Sequence, residues 1–207
     1  MLKFSPKQKN WLISSIVLLI MFITFTLVVV FIDRNEVGLS HLNQFFLQHC
    51  GQSNVWKWIT NCLGYFLLLI IWFLLICQIV QWLRRGKKIR RIDENLLWLD
   101  VVLMCFVAVY TFFEFVVINS RPFDDKASYP SSHAMLFVTV IPLLIWQVWH
   151  YVKSKPWRIA LTVLLSFTLI IGIVGRLLSG VHWFTDILAG VIIGCSLDCL
   201  YFALVTK

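Results

Sequence analysis

The sequence predicts an all-α polytopic membrane protein with six transmembrane helices. The 207-residue chain is 60% hydrophobic and only 14% charged, which is more apolar than a soluble core needs. Its charges lie between six apolar runs, and each run is near the roughly 20 residues that a helix needs to cross a bilayer core of about 30 Å. Most of the lysines and arginines fall in connections on one side of these runs. We expect a single domain over residues 1–207.

The six apolar runs are the expected membrane helices. The first follows three lysines, as a secretory signal would, but it is long enough to span and ends without a small-residue cleavage site. It is therefore predicted to be a retained anchor. The runs cover residues 10–32, 59–83, 96–118, 133–151, 159–178 and 183–205.

The basic residues predict the orientation. They precede run one, fill the connections between runs two and three and between runs four and five, and end the chain. By the positive-inside rule this side is the cytoplasm, so both termini are expected there. The net charge of +8 does not indicate nucleic-acid binding, because these residues form no basic face of a soluble domain. The residues counted are Lys3, Lys7, Lys9, Arg84, Arg85, Lys87, Lys88, Arg90, Arg91, Lys153, Lys155, Arg158 and Lys207.

The longest connection on the outer side covers about residues 33–55. Its leucines and phenylalanines recur at near-helical spacing, which predicts a short amphipathic helix on the outer membrane surface. His41 and His49 are interpreted as interfacial rather than metal-binding, because no carboxylate or cysteine pattern accompanies them. Cys50 is expected in the same outer segment.

Two short outer connections carry polar residues that topology does not require. Residues 119–133 contain Arg121, and residues 175–186 contain Arg176. Arginine offers paired donors that suit the oxygens of a phosphate ester. Either arginine alone could simply snorkel to the interface. Both, however, accompany a histidine in the same outer layer, which favours a phosphate site.

The start of run four adds a possible anion cradle. Ser131 and Ser132 follow Pro130, where free backbone amides meet the positive end of a helix. A serine here also fits an N-cap, and the two interpretations are compatible.

A histidine and an aspartate at the start of run six suggest nucleophilic chemistry. His182 and Asp186 are four residues apart, so on one helix face Asp186 would accept a proton from one imidazole nitrogen and leave the other free to attack phosphorus. His133 is the candidate general acid. A structural hydrogen bond is the alternative, but ionisable pairs in membrane segments are functional candidates by default.

These residues resemble the motifs of the phosphatidic acid phosphatase type 2 and vanadium haloperoxidase superfamily, in its bacterial lipid phosphatase branch. The likeness covers about residues 110–200 and agrees in order, spacing and topology. The family motifs are Lys-x6-Arg-Pro, Pro-Ser-Gly-His and Ser-Arg-x5-His-x3-Asp. The matching residues are Arg121 and Pro122, then Pro130, Ser131, Ser132 and His133, then Arg176, His182 and Asp186.

The resemblance implies a phosphohistidine on His182, oriented by Asp186, with His133 as the acid. It implies that both arginines and the amides near Ser131 and Ser132 hold the phosphoryl group, with no metal or cofactor. The substrate would be a lipid phosphate in the bacterial plasma membrane, attacked on the extracytoplasmic side. Candidates are undecaprenyl diphosphate, phosphatidylglycerophosphate and phosphatidic acid.

Three positions depart from the motifs. Glu114 stands where the first motif has lysine, Ser132 replaces a glycine, and Gly175 replaces a serine. Glu114 could pair with Arg121 or with Lys126, and Lys126 could itself reach the phosphate. The alternatives to a lipid phosphatase are therefore a lipid phosphotransferase that uses the same histidine, or a non-catalytic protein that binds phospholipids.

Overall fold

The structure is a computed structural model that describes residues 5–86, 88–89 and 92–206. Five basic residues used to predict topology, Lys3, Lys87, Arg90, Arg91 and Lys207, lie outside the described residues. The described part forms seven α-helices and one β-hairpin. The elements are α1 (Pro6–Phe31), α2 (Ser40–Cys50), α3 (Asn54–Arg84), α4 (Glu94–Phe115), β1 (Ser120–Arg121), β2 (Asp124–Ala127), α5 (Ser132–Tyr151), α6 (Lys155–Ser179) and α7 (Phe184–Val205).

Six of these helices, all except α2, are long and apolar enough to cross a membrane. They coincide with the six predicted apolar runs, which confirms the multi-pass prediction. Their starts follow local rules: Ser53 caps α3 by accepting from the Trp56 amide, and Ser131 caps α5 by accepting from the Ala134 amide. Outside the helices, the structure adds a two-stranded hairpin within a connection that the sequence predicts to be loop.

Helices α5 and α7 form the centre of the bundle and are the most buried of the six. They approach closely because α7 has glycines at the contact. A Cβ at Gly190 would lie 2.7 Å from the Ser131 carbonyl oxygen, and one at Gly194 would lie 2.9 Å from Val138. Helices α1, α3, α4 and α6 surround this pair and expose apolar side chains on their outer faces, as lipid-facing helices do.

The two ends of the bundle differ in composition. One end, which we call the site end, carries α2, the β-hairpin and the turn between α6 and α7. Helix α2 is anchored there by Asn43, which bonds to Thr185 at the start of α7, and by Phe46, which stacks on Phe184 with ring centroids 3.9 Å apart. The start of α1 and the end of α7 lie at the opposite end, where Trp11 contacts Phe202. The membrane side that each end faces stays a prediction.

Candidate active site

His182 occupies the turn between α6 and α7. Gly180 ends α6 in the left-handed conformation, with φ of 63°, and the chain then reverses so that the His182 side chain is buried. The Nδ1 atom lies 3.0 Å from the Ser128 carbonyl oxygen. A carbonyl oxygen only accepts hydrogen bonds, so Nδ1 carries the proton. In the neutral ring, Nε2 therefore holds a free lone pair, and it has no hydrogen-bond partner among the described residues.

The surroundings of His182 favour the neutral ring. Burial, followed by the nearby guanidinium groups of Arg176 and Arg121, holds the pKa of His182 well below its ordinary value of 6.5. The imidazole is consequently unprotonated at neutral pH. An uncharged imidazole with a free lone pair is the form of histidine that attacks phosphorus.

Asp186 lies near His182 but is not bonded to it directly. The distance between His182 Nδ1 and Asp186 Oδ2 is 3.9 Å, which is too long for a hydrogen bond. The reason is local: α7 begins at Phe184, so His182 precedes the helix and the two side chains do not share a helix face. The Oδ2 atom instead accepts from the Trp183 amide at 3.0 Å.

Ser128 connects the histidine to the aspartate. Its hydroxyl donates to Asp186 Oδ2, while its carbonyl oxygen accepts from His182 Nδ1. Asn119 adds a weaker bond to Asp186 Oδ1 at 3.4 Å. Neither Ser128 nor Asn119 has a role among the sequence-based predictions. Their only signal is their place in the polar connection of residues 119–133, and the hairpin that folds them onto Asp186 has no distinctive sequence.

The start of α5 supplies the second histidine. Ser131 is fully buried, and its amide, which the motif resemblance assigns to phosphate binding, donates to the Asp186 carbonyl at 2.9 Å. The amides of Ser132 and His133 have no acceptor within the helix, because they belong to its first turn. Those two amides are therefore the ones available to an anion, and the His133 ring follows directly after them.

The two arginines are held differently. Arg176 is 2% exposed in the last turn of α6, and its Nη1 donates to Thr60 Oγ1 at 3.3 Å and to Asn61 Oδ1 at 3.1 Å. Its Nε has no partner among the described residues. Arg121 is half-buried in β1, and its Nε donates to the Ala127 carbonyl at 3.2 Å. Both guanidinium groups keep donors available for phosphate oxygens.

A small inner cavity lies between some of these groups. Arg121, Ser128 and His182 line it, with Tyr110 and Ser132 on its other side. Glu114, at the usual lysine position, also lines this cavity, and it forms no ion pair within the described part of the chain. The inner cavity is therefore lined by an acidic side chain as well as by Arg121.

Lys126 lies away from this cavity. Its Nζ pairs with Asp124 Oδ2 at 3.2 Å, and its side chain is 70% exposed. The structure thus shows neither of the pairings suggested for Glu114, and Lys126 is not among the residues that line the inner cavity.

An apolar cavity of about 320 Å³ adjoins the inner cavity. It separates α3 from α4 near the site end, and Tyr110 and Ser132 line both cavities. Toward the opposite end the two helices are tied together by a bond from Gln78 to Asp100 at 3.1 Å. The side chains at its mouth, Tyr65 and Leu68, are exposed on the lipid-facing surface. The remaining lining residues are Gly64, Phe106, His133 and Leu136.

The family model of the PAP2 superfamily matches residues 19–207. The chain belongs to the PAP2 superfamily. Among solved structures, it is similar to a transmembrane PAP2-type phosphatidylglycerolphosphate phosphatase from Bacillus subtilis, with 14% identity and a TM-score of 0.67 over 91% of this chain and 94% of the other. At this identity the likeness shows the fold. A search of curated proteins gave no significant match.

Superfamily membership supports a phosphatase that works in a membrane. The described residues include no group of three or more His, Cys, Asp or Glu side chains arranged to hold a metal ion. The predicted catalytic residues His182, His133 and Asp186 and the arginines Arg121 and Arg176 all lie at the site end. Their individual roles stay predictions.

Proposed function

We propose that this protein is an integral membrane phosphatase that hydrolyses a phosphomonoester or diphosphate of a lipid, with His182 as the nucleophile. The observation that carries the proposal is the unpartnered Nε2 of the buried His182, beside two arginines and an apolar cavity. A buried acceptor without a partner is costly, which indicates that its position is selected for a ligand. The Bacillus subtilis protein of similar fold is a phosphatidylglycerolphosphate phosphatase, which supports the same class.

The first chemical step follows from the tautomer. The lone pair of His182 Nε2 forms a bond to phosphorus while the bond from phosphorus to the leaving oxygen breaks. His133, which lines the apolar cavity next to this point, donates its proton to the leaving oxygen. The Ser128 carbonyl keeps the Nδ1 proton in place, and Asp186 holds Ser128 through its hydroxyl.

The charge that develops on the phosphoryl oxygens is met by the donors around it. Arg176 and Arg121 supply fixed positive charge, and the amides of Ser132 and His133 donate hydrogen bonds from the N-terminal end of α5. These groups do what a metal ion does in other phosphatases, so we propose a metal-independent reaction. A water molecule then attacks phosphorus, His133 takes its proton, and the electron pair of the N–P bond returns to Nε2.

The apolar cavity indicates that the substrate is a lipid. An acyl or prenyl chain entering between α3 and α4 would keep its contact with the bilayer while its phosphate reached His133 and His182. Gly64 keeps this passage open, because a Cβ there would lie 3.1 Å from the His133 ring. Its apolar lining does not distinguish acyl from prenyl chains, so undecaprenyl diphosphate, phosphatidylglycerophosphate and phosphatidic acid are all candidates.

We also propose that the site end faces away from the cytoplasm, in the plasma membrane. The support is the placement of basic residues at the opposite end. Cys50, which ends α2 at the site end, gives a direct test. A membrane-impermeant thiol reagent should label intact cells through Cys50, and labelling should disappear in Cys50→Ser. Labelling of Cys50 only after cell lysis would place the site on the cytoplasmic side.

The main test is release of inorganic phosphate by the detergent-purified protein from a panel of lipid mono- and diphosphates, in excess chelator, beside His182→Ala. Release that survives chelation and is lost in the variant supports the proposal and ranks the substrates. Release only when a second lipid acceptor is added would indicate the phosphotransferase. Absence of release from the whole panel with either acceptor would contradict an enzymatic function and make Glu114 the first residue to examine.

A further inference from the structure

A second cavity lies beside the site. Its volume is about 360 Å³, and it extends from the first turn of α3 to Ser179 and Val181, beside His182. Arg121 lines both this cavity and the inner one. The residues around it are mostly polar, and none of them also lines the apolar cavity. The inner cavity, which His182 lines, therefore adjoins two different openings, one apolar and one polar.

The polar cavity is built against the turn that holds His182. The Ser53 amide donates to the Leu178 carbonyl at 3.1 Å, which fixes the start of α3 beside the end of α6. Asn54, the first residue of α3, lines the cavity. The positive end of a 31-residue helix therefore points at this space.

Lys57 brings a positive charge into the same space. It lines the cavity together with Arg121, and within the described residues it forms no ion pair. Thr60, one helical turn further on the same face of α3, contacts the guanidinium of Arg176. The one acidic residue among those lining the cavity, Asp124, is paired with Lys126 at 3.2 Å. Lys57 from α3 and Arg121 from β1 thus line one cavity whose acidic lining residue is already paired with Lys126.

We propose that Lys57 and Arg121 form a second phosphate subsite in the polar cavity beside the His182 turn. This inference rests on the proposed function and extends it. Once water has cleaved the N–P bond, orthophosphate is a doubly or singly charged anion that cannot leave through the apolar cavity. The polar cavity gives it a short route lined by cations. The same chemistry would bind one phosphate of a lipid diphosphate, and the experiment below separates the two sources.

The test compares Lys57→Gln, Lys57→Arg and wild type in two assays. The first is the inhibition constant of orthophosphate, and the second is the ratio of kcat/KM for a lipid diphosphate to that for the matching monophosphate. Removing the charge should raise the inhibition constant about three- to tenfold, as expected for one partly exposed charge contact, and Lys57→Arg should restore it. An unchanged kcat/KM ratio identifies released orthophosphate, and a selective loss on the diphosphate identifies the headgroup.

Two further variants give the matched controls. Lys153→Gln removes the same charge from the connection between α5 and α6, at the opposite end, and should leave both assays unchanged. Asp124→Asn removes the acidic lining residue and should lower the inhibition constant. If Lys57→Gln stays within about twofold of wild type in both assays, the subsite does not exist. The same conclusion follows if Lys153→Gln changes both assays as much as Lys57→Gln does.

A binding measurement distinguishes failure of the proposed function from failure of the subsite. Orthophosphate binding to the purified protein, followed by the line width of its ³¹P resonance, needs no turnover. Binding that weakens in Lys57→Gln supports the subsite even if the wild-type protein releases no phosphate from any lipid. Hydrolysis without any effect of Lys57 on orthophosphate would overturn the subsite and leave the lipid phosphatase standing.

Discussion

Two polar clusters, one at each end of the helix bundle, differ in their hydrogen bonds. At the opposite end, Asp93 precedes the start of α4 and accepts from Gln81 at 3.0 Å, Arg85 at 3.0 Å and Tyr151 at 3.1 Å. This cluster satisfies the carboxylate with donors from the ends of α3 and α5. At the site end, a comparable set of residues leaves His182 Nε2 without a partner among the described residues.

The contrast between the Asp93 cluster and His182 predicts different roles for the two. A carboxylate whose oxygens accept from neighbouring helices stabilises their arrangement. An unpartnered nitrogen that is buried and flanked by cations lowers stability, so it needs another explanation, and a bound phosphoryl group provides one. Substitutions around His182 should therefore change catalysis more than stability, and substitutions in the Asp93 cluster should do the reverse.

The largest effect is expected for His182→Asn. The amide cannot form the phosphoryl intermediate, so phosphate release should fall by about 10³-fold or more, as when a nucleophile is removed from other enzymes. Incubation with a ³²P-labelled lipid phosphate should label the wild-type protein with an acid-labile, base-stable bond and leave the variant unlabelled. Labelling that persists in His182→Asn would place the nucleophile elsewhere and remove the contrast between the two ends.

A second, smaller effect tests the indirect link through Ser128. Asp186→Asn keeps the size of the side chain but removes its charge, and we expect kcat to fall about 10²-fold. Ser128→Ala keeps the carbonyl that holds His182 and should cost only about tenfold. Because both act through one bond, the double variant should be no slower than Asp186→Asn alone.

If the losses of kcat in Asp186→Asn and Ser128→Ala multiply in the double variant, Asp186 and Ser128 act separately. Asn119→Ala serves as the comparison. Its bond to Asp186 is long, at 3.4 Å, so its loss should reduce kcat by about threefold or less.

The membrane helices are predictable from the sequence because their signal is local. Six apolar runs of spanning length set the number and approximate bounds of the helices, whatever their packing. Spacing also predicts that His182, His133 and Arg176 lie at one end. The motif resemblance covers the residues for which we propose catalytic and binding roles.

The contacts between the site residues are less predictable because they depend on packing. A four-residue spacing suggests a direct bond between His182 and Asp186, but α7 starts two residues after His182 and Ser128 lies between them. The Ser131 amide is expected to be free, yet it bonds to the Asp186 carbonyl because α5 and α7 meet closely at Gly190. The role of Lys57 depends on contacts between α3, α6 and the hairpin that no linear pattern shows.

The apolar cavity yields a third prediction, of intermediate size. Leu68→Trp would fill the space between α3 and α4 one turn away from Gly64, so the lipid should bind less well. We expect KM for a long-chain lipid phosphate to rise about five- to tenfold, while kcat/KM for a short water-soluble phosphoester stays within about twofold.

Leu69→Trp is the matched control for the cavity. Leu69 is the neighbouring residue, it is 65% exposed, and it does not line the cavity. The same bulk added there should leave KM unchanged. Equal effects of the two tryptophans would show that the lipid does not enter between α3 and α4.

The smallest effect on activity is expected at the opposite end, for Asp93→Asn. Burial disfavours the carboxylate, but the hydrogen bonds from Arg85, Gln81 and Tyr151 hold the pKa of Asp93 below its ordinary value of 3.8. A lowered pKa means that this stabilisation is present above about pH 4 and is lost as the pH falls through the folded pKa.

At pH 7 the variant should unfold at a lower temperature, with a loss of about 1 kcal/mol, and its phosphate release per folded molecule should stay within about twofold of wild type. The difference in unfolding temperature should shrink below pH 4, because the wild-type carboxylate is then protonated as well. A fall in turnover as large as that in Asp186→Asn, without any change in unfolding temperature, would show that a fully paired cluster also serves catalysis, and that hydrogen-bond satisfaction does not distinguish the two ends of this protein.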